Sequence, residues 1–283
     1  MNGKGGGAGA GAGGAGGNLI PRTAGFAYAI VAVFTLAILW YTGKINRRKA
    51  ILFLLISTAF GFLIFAPVAP HNFQQLILRD VASLGTSLQA ASFGLMLMLI
   101  LSLVFGRIFC GHLCPAGAVQ ELAYLVTLPK FGQNWKQVSI GIRAVVFVLV
   151  LAAAFGWSVG IINYFGLKEF FSLDVASVFF YVFLGVLLLS MVVYRPFCRF
   201  ICPYGLLMSL TAAVSAFKFR RTEKCIECGL CERACPTNEA KVGDRKSECY
   251  MCGRCVEVCP VEGALVYRRE TGRWSAVGIP DEK

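Results

Sequence analysis

The chain has 283 residues, of which 57% are hydrophobic, with a formal net charge of +12, 12 cysteines and 2 histidines. That composition excludes an ordinary soluble domain, because so many apolar residues exceed what one core of this size can bury. The basic excess does not call for nucleic acid, since the cytoplasmic loops of membrane proteins collect Lys and Arg, and no nucleic-acid partner is expected.

In chain order, the first 18 residues hold 10 glycines, and residues 1–20 read as a disordered, Gly-rich leader. No compact basic region runs straight into a short apolar core, so the leader does not resemble a cleaved signal. Five apolar stretches follow, at 24–43, 50–66, 90–106, 140–162 and 175–194, with Arg143 the only charge within them. Each is near the length that crosses a ~30 Å hydrocarbon core. They predict a mainly α fold: a polytopic membrane helix bundle of about five spans over residues 21–217. Lys44, Arg47, Arg48 and Lys49 place the first loop inside the cell. Alternation then puts 67–89 and 163–174 outside, and 107–139 and everything after 195 inside. The expected location is the inner membrane, with the C-terminal segment in the reducing cytoplasm.

The bundle carries an internal repeat. Arg107-Ile-Phe109-Cys110-Gly-His112-Leu-Cys114-Pro115-Ala-Gly117 matches Arg195-Pro-Phe197-Cys198-Arg-Phe-Ile-Cys202-Pro203-Tyr-Gly205, with six identities at an offset of 88 residues. Each copy follows an outside-to-inside span and precedes a short amphipathic stretch, 118–128 or 206–217. The membrane domain therefore reads as two parallel span–Cys-x3-Cys-Pro units with all four thiols at the cytoplasmic boundary. Cysteines four apart share one face of a helix. Cys110, Cys114, Cys198 and Cys202 are thus candidates for a shared metal or cluster, for separate centres completed by a partner, or for redox-active dithiols. The plain alternative is small buried residues packing helix ends. Arg107 and Arg195 could neutralise an anionic site at the motif, but read mainly as anchors at the lipid headgroups.

Residues 218–270 hold two cysteine runs with one spacing, Cys225-x2-Cys228-x2-Cys231-x3-Cys235-Pro236 and Cys249-x2-Cys252-x2-Cys255-x3-Cys259-Pro260. This is the bacterial-type ferredoxin signature for two [4Fe–4S] clusters, in which the fourth cysteine of each run serves the other cluster. Cluster one is assigned to Cys225, Cys228, Cys231 and Cys259, and cluster two to Cys249, Cys252, Cys255 and Cys235. Gly229 and Gly253 hold the same place in both runs, where positive φ lets the backbone approach a cluster. Zinc sites use paired ligands and do not need this pattern twice, and disulfide frameworks belong to small secreted domains. Residues 271–283 form a polar tail.

Two Cys-x3-Cys-Pro motifs at span ends, followed by two cytoplasmic [4Fe–4S] runs, resemble the NapH-type membrane ferredoxins, the quinol dehydrogenase membrane components. MauN and the C-terminal half of NosR are similar. The resemblance covers about residues 45–270 and leaves out the first span. It implies that electrons pass between membrane quinol and other redox protein subunits, within a quinol dehydrogenase complex. A role as electron donor in the maturation of another redox enzyme, or as a redox sensor, is the alternative. Candidate proton acceptors are His112 and Glu121. His71, Asp80, Glu169 and Asp174 are candidates for an outer site. Lys224, Arg233 and Arg254 would favour a reduced cluster, or are ordinary surface charge.

Overall fold

The computed structural model describes residues 22–65, 68–80 and 87–269. The Gly-rich leader and the polar tail expected from sequence lie outside the described residues. The helices in chain order are α1 (Arg22–Tyr41), α2 (Arg47–Ile64), α3 (Ala69–Leu78), α4 (Leu88–Phe105), α5 (Pro115–Tyr124), α6 (Lys136–Trp157), α7 (Leu167–Phe171), α8 (Val178–Leu189) and α9 (Pro203–Ala213). Of these, α1, α4 and α6 are long and apolar enough to cross a bilayer, as is the stretch Arg47–Leu78 that opens with α2. They expose Val31, Leu52, Phe93 and Val148 on their outer faces, as helices facing lipid rather than water would.

The boundaries follow local chemistry. The Ser87 hydroxyl caps α4 by accepting from the Ala90 amide at 3.2 Å. The helix stops at Gly106, whose φ of 75° and ψ of −164° suit only glycine. The fifth expected span, 175–194, is helical only over the 12 residues of α8, about 18 Å, well short of the ~30 Å core. Two features cut it short. Ser177 caps α8 by accepting from the Phe179 amide. Past Leu189 the chain turns, and the Val192 carbonyl accepts from the Phe131 amide at 3.1 Å instead of continuing a helix.

The sequence repeat is also a structural repeat. After α4 and again after α8, a single π-helical turn (Phe109–Leu113, Phe197–Ile201) leads into a short helix. The Cys114 amide donates to the Phe109 carbonyl and the Cys202 amide to the Phe197 carbonyl, both at 2.9 Å. Each closing cysteine has extended backbone (φ/ψ −72°/119° and −64°/111°), and proline begins the helix that follows, where a missing N–H costs nothing. The short helices differ from the amphipathic stretches expected from sequence. They start earlier, at Pro115 and Pro203, and α5 is buried along most of its length. The halves exchange partners: α9 packs on α4, and α5 on α8.

Past α9, strands β1 (Phe217–Arg221) and β2 (Leu265–Arg269) pair antiparallel, Phe217 opposite Arg269 and Arg221 opposite Leu265. Between them lie both cysteine runs and two single-turn helices, α10 (Leu230–Ala234) and α11 (Arg254–Glu257). The mainly α architecture ending in a ferredoxin segment is the one the sequence predicts. The segment packs on the bundle through aromatic contacts: Phe219 meets Trp40 edge-on at 4.9 Å and Phe217 lies 5.8 Å from Phe105. The Tyr267 hydroxyl donates to the Phe105 carbonyl at 2.8 Å.

The tightest contact is backbone on backbone. A Cβ added at Gly111 would overlap the carbonyl oxygen of Tyr250, and neither chain can yield without moving the whole segment. Gly111→Ala is therefore expected to loosen the ferredoxin segment, whereas Gly141→Ala, with nothing within 4 Å, leaves it seated. Limited trypsinolysis in detergent checks this: release of the C-terminal segment should be much faster for the first variant only.

Candidate functional site

The first and second cysteine runs begin alike. Gly229 and Gly253, at φ 69° and 81°, turn the chain into α10 and α11, the left-handed geometry expected of glycine at those places. Cys225, Cys228 and Cys231 of the first run line one cavity together with Cys259 of the second. Cys249, Cys252 and Cys255 gather with Cys235. Burial, and then the neighbouring Cys235, push the Cys249 thiol up to about 12, and burial, then Cys249 and Cys252, raise Cys255. Crowded thiols such as Cys249, Cys252 and Cys255, raised by burial, are a set that metal cations would hold as thiolate. Among the described residues, no three His, Cys, Asp or Glu side chains converge tightly enough to hold one ion. Ringed cavities of this kind suit a cluster with several irons better than a single zinc.

The two sets differ in setting. Cys228 is exposed, amid exposed Ile226 and Leu230. The second set faces the bundle: Gly253 is pressed against Trp40, where an added Cβ would come within 2.6 Å of the ring. Lys224 and Arg233 are exposed; Arg254 is not ordinary surface charge. It donates to Glu121 Oε1 at 2.5 Å and lies over the rings of Tyr124 and Tyr194.

Arg107 and Arg195, expected at the headgroups, are fully buried. Arg107 pairs with Glu248 Oε2 at 3.0 Å and Arg195 Nε with Glu121 Oε2 at 2.8 Å. Arg195 also donates to the Cys110 carbonyl, and to that of Gly111 at 2.5 Å. The reason is coverage: Tyr250, from the ferredoxin segment, lies between both guanidinium groups, 4.1 Å from one and 5.0 Å from the other. Arg143 completes the Glu248 pair at 2.5 Å. Burial alone would raise both carboxyls. The arginines outweigh it and hold Glu121 and Glu248 at about 2.

The candidate proton acceptors fare accordingly. Both Glu121 oxygens are engaged by guanidinium groups, so its geometry is that of a clamp. His112 is buried, with Nδ1 unpartnered; burial and then Arg195 bring its imidazole down to about 4. His71 sits buried in α3, 4.9 Å from the Phe65 ring. The preceding Ala69 and Pro70 line a cavity with Cys110, Cys114, Cys198 and Cys202. Within the segment expected as an outer loop, α3 thus turns into the bundle. It can do so because its polar groups are met internally: Gln74 donates to Asn163 at 3.1 Å and accepts from the Ile162 amide at 2.7 Å. Glu169 and Asp174 lie in the connection from α6 to α8, and Asp80 just beyond α3.

The four repeat cysteines are all buried, and their cavity reaches into the bundle. Tyr204, on the wall of their cavity, donates to the Leu95 carbonyl at 2.7 Å. Leu95 lies ten residues before the end of α4, about 15 Å along the helix. The motif turns back into the bundle because its π turn reverses the chain before Pro115 and Pro203.

Sequence reading missed Glu248, Tyr250 and the role of Arg143. Arg143 could have been found, since a lone charge in an apolar stretch demands a partner; Glu248 directly precedes a ligand-type cysteine and carries no separate signal.

Comparison with known proteins fits this geometry. The family described as a 4Fe-4S binding domain matches residues 88–135 and again 176–222, one match per repeat, and a 4Fe-4S dicluster domain matches 217–260. The chain thus carries 4Fe–4S binding domains in both its membrane and C-terminal parts. It is 30% identical over 165 residues to YccM of Escherichia coli (strain K12), a protein proposed to act in electron transport, across 52% of this chain and 46% of that one. It is 31% identical to the uncharacterized protein MJ0749 of Methanocaldococcus jannaschii, over 54% of this chain and 61% of that one. NirI of Paracoccus denitrificans is 32% identical over 47% of this chain and 22% of its own length. The chain therefore spans about half the length of the first of these relatives. No solved structure matches.

The buried pairs give a graded expectation. Glu121→Ala leaves fully buried Arg195 uncompensated and should cost about 3–5 kcal/mol. Lys136→Ala, which loses a one-quarter exposed partner of Glu239, should cost no more than about 1 kcal/mol. Urea-dependent release of the ferredoxin segment by protease measures the difference.

Proposed function

We propose that the chain is a membrane-bound iron–sulfur protein that passes electrons between the quinol pool and a redox partner, with its ferredoxin segment on the cytoplasmic side of the inner membrane. One observation carries the reading: the second cysteine set is seated on the bundle while the first opens to solvent at Cys228. That arrangement has one end toward lipid and one toward a partner. The electron-transport role proposed for YccM supports it. The quinol half rests on the NapH-type resemblance of the motif set.

When bound, two [4Fe–4S] clusters would supply one-electron carriers whose potentials depend on charge and solvent exposure. The chain's own residues hold and tune them. Cys225, Cys228, Cys231 and Cys259 would ligate one cluster, and Cys235, Cys249, Cys252 and Cys255 the other. Arg254, beside Cys252, favours added negative charge there. Trp40 and Met251 keep water from the bundle side. Exposed Lys224 and Arg233 give the solvent end a basic rim that attracts an acidic partner protein.

Two outcomes test this. Cys259→Ser should remove about four irons and the first-run cluster while sparing the second, despite lying in the second run. Loss of the second-run signal instead would refute the exchange of ligands between runs. In liposomes, a reduced quinol analogue should bring up the reduced-cluster EPR signals rapidly. Reduction only by a soluble donor would sink the quinol role and favour service in maturation of another enzyme.

A further inference from the structure

Each copy of the repeat matches a 4Fe–4S binding domain, yet each holds only two cysteines, half of what a cubane needs. The fold supplies the missing half. Cys110 and Cys114 of one copy, and Cys198 and Cys202 of the other, line a single cavity, as Cys225, Cys228, Cys231 and Cys259 line theirs. The copies interlock across it: a Cβ at Gly117 in the first copy would lie 3.7 Å from Cys198 Sγ in the second. The wall also offers donors of the kind that surround cluster sulfurs. The Gly205 amide points at Cys202 Sγ at 3.2 Å, and Gln120 Nε2 at Cys198 Sγ at 3.5 Å.

Charge makes the second, independent argument. Among the described residues, Arg107, Arg143, Arg195 and Arg254 share two carboxylates, Glu121 and Glu248. Arg107 is fully buried, lines the cavity, and keeps an Nε–H with no hydrogen-bond partner. Buried guanidinium groups in excess of their counterions are costly. A group with net negative charge in the adjoining cavity would balance them.

We propose that Cys110, Cys114, Cys198 and Cys202 together ligate a third iron–sulfur cluster, of the four-iron class, shared between the two halves of the membrane domain. Ligation breaks four S–H bonds and forms four Fe–S bonds. The four protons leave to solvent, and no atom changes oxidation state. The thiolates give the cluster the net negative charge that Arg107 faces. The cavity wall includes Ala69 and Pro70 at the start of α3 on one side. Gly111, next to Cys110, touches Tyr250 on the other, one residue from Cys249. The third site therefore stands between the interior of the bundle and the second cysteine set. It extends the proposed electron path but needs neither quinol nor a named partner to exist.

The full-length protein, purified and reconstituted anaerobically with 57Fe and sulfide, decides the matter by iron and sulfide count and Mössbauer area. The wild type should hold about twelve irons. Cys110→Ser/Cys198→Ser should hold about eight with the ferredoxin-segment EPR signals intact, and Cys225→Ser/Cys249→Ser about four. About eight irons in the wild type, or zinc bound to the four repeat cysteines, overturns the third site and leaves the C-terminal pair standing. About four in both the wild type and the Cys225→Ser/Cys249→Ser variant keeps the third site and overturns the C-terminal pair. The wild-type count needs no variant to fold.

Discussion

Burial of arginine against glutamate joins the two parts of this molecule. Glu248, one residue before Cys249, receives Arg107 from the end of α4 and Arg143 from α6. Glu121 on α5 receives Arg195 from the second repeat and Arg254 from the second cysteine run. Each carboxylate thus gathers cations from distant points of the chain, across 141 residues in one case and 133 in another. An isolated buried ion pair adds little net stability, but removing one partner is expensive. What such pairs secure is position. A flat apolar contact would let the ferredoxin segment slide over the bundle; directional hydrogen bonds to fully buried guanidinium groups fix one register, and Tyr250 wedged between two of them fixes its height.

That register gives the duplication its use. Two copies of one span–Cys-x3-Cys-Pro unit, inserted in the same direction, present their π turns side by side. The arginines that open the two motifs, equivalent in sequence, then take different carboxylates: Arg107 reaches up to the ferredoxin segment, and Arg195 reaches across to the other repeat. The pseudosymmetry is broken where a single, asymmetric ferredoxin segment must dock on a two-fold platform. Gly111 in the first copy, where the second has Arg199, marks the break. Tyr250 rests on the glycine. Arg199 instead turns back to the Gly132 carbonyl at 2.7 Å and the Ser139 hydroxyl.

Much of this was legible in the sequence, and the parts that were share a property. Cysteine spacing, the offset repeat and the apolar stretches are local patterns whose physics acts within a few residues, so they survive without a fold. The π turns explain why Cys-x3-Cys-Pro recurs intact: cysteine, extended backbone and proline-first helix form one local unit. What was not legible depends on partners far away. The headgroup reading of Arg107 and Arg195 was sound for any arginine at a span end, and fails only because Glu248, Tyr250 and Glu121 arrive to cover them. The 67–89 segment is nearly neutral and reads as an outer loop; that α3 enters the bundle depends on Asn163, some 90 residues on, meeting its glutamines. Hydropathy gave 175–194 the length of a span, whereas Ser177 and the Phe131 contact decide how much of it is helix.

The burial of the motif arginines changes what the basic charge is for. Positive residues at the inner face of a membrane protein are usually read as topology signals, and Lys44 to Lys49 fit that reading. The buried arginines do not, because a charge that never meets the headgroups during the protein's working life does nothing for orientation once the chain is inserted. Their cost in a low-dielectric interior has to be met by negative charge, and among the described residues Arg107, Arg143, Arg195 and Arg254 share two carboxylates. Thiolate-ligated clusters are themselves net anions that are hard to bury. A bundle that holds surplus guanidinium and a segment that holds surplus cluster charge each make the other tolerable. The seat of the ferredoxin segment and the ability of the bundle interior to carry a redox centre are, on this chemistry, the same requirement.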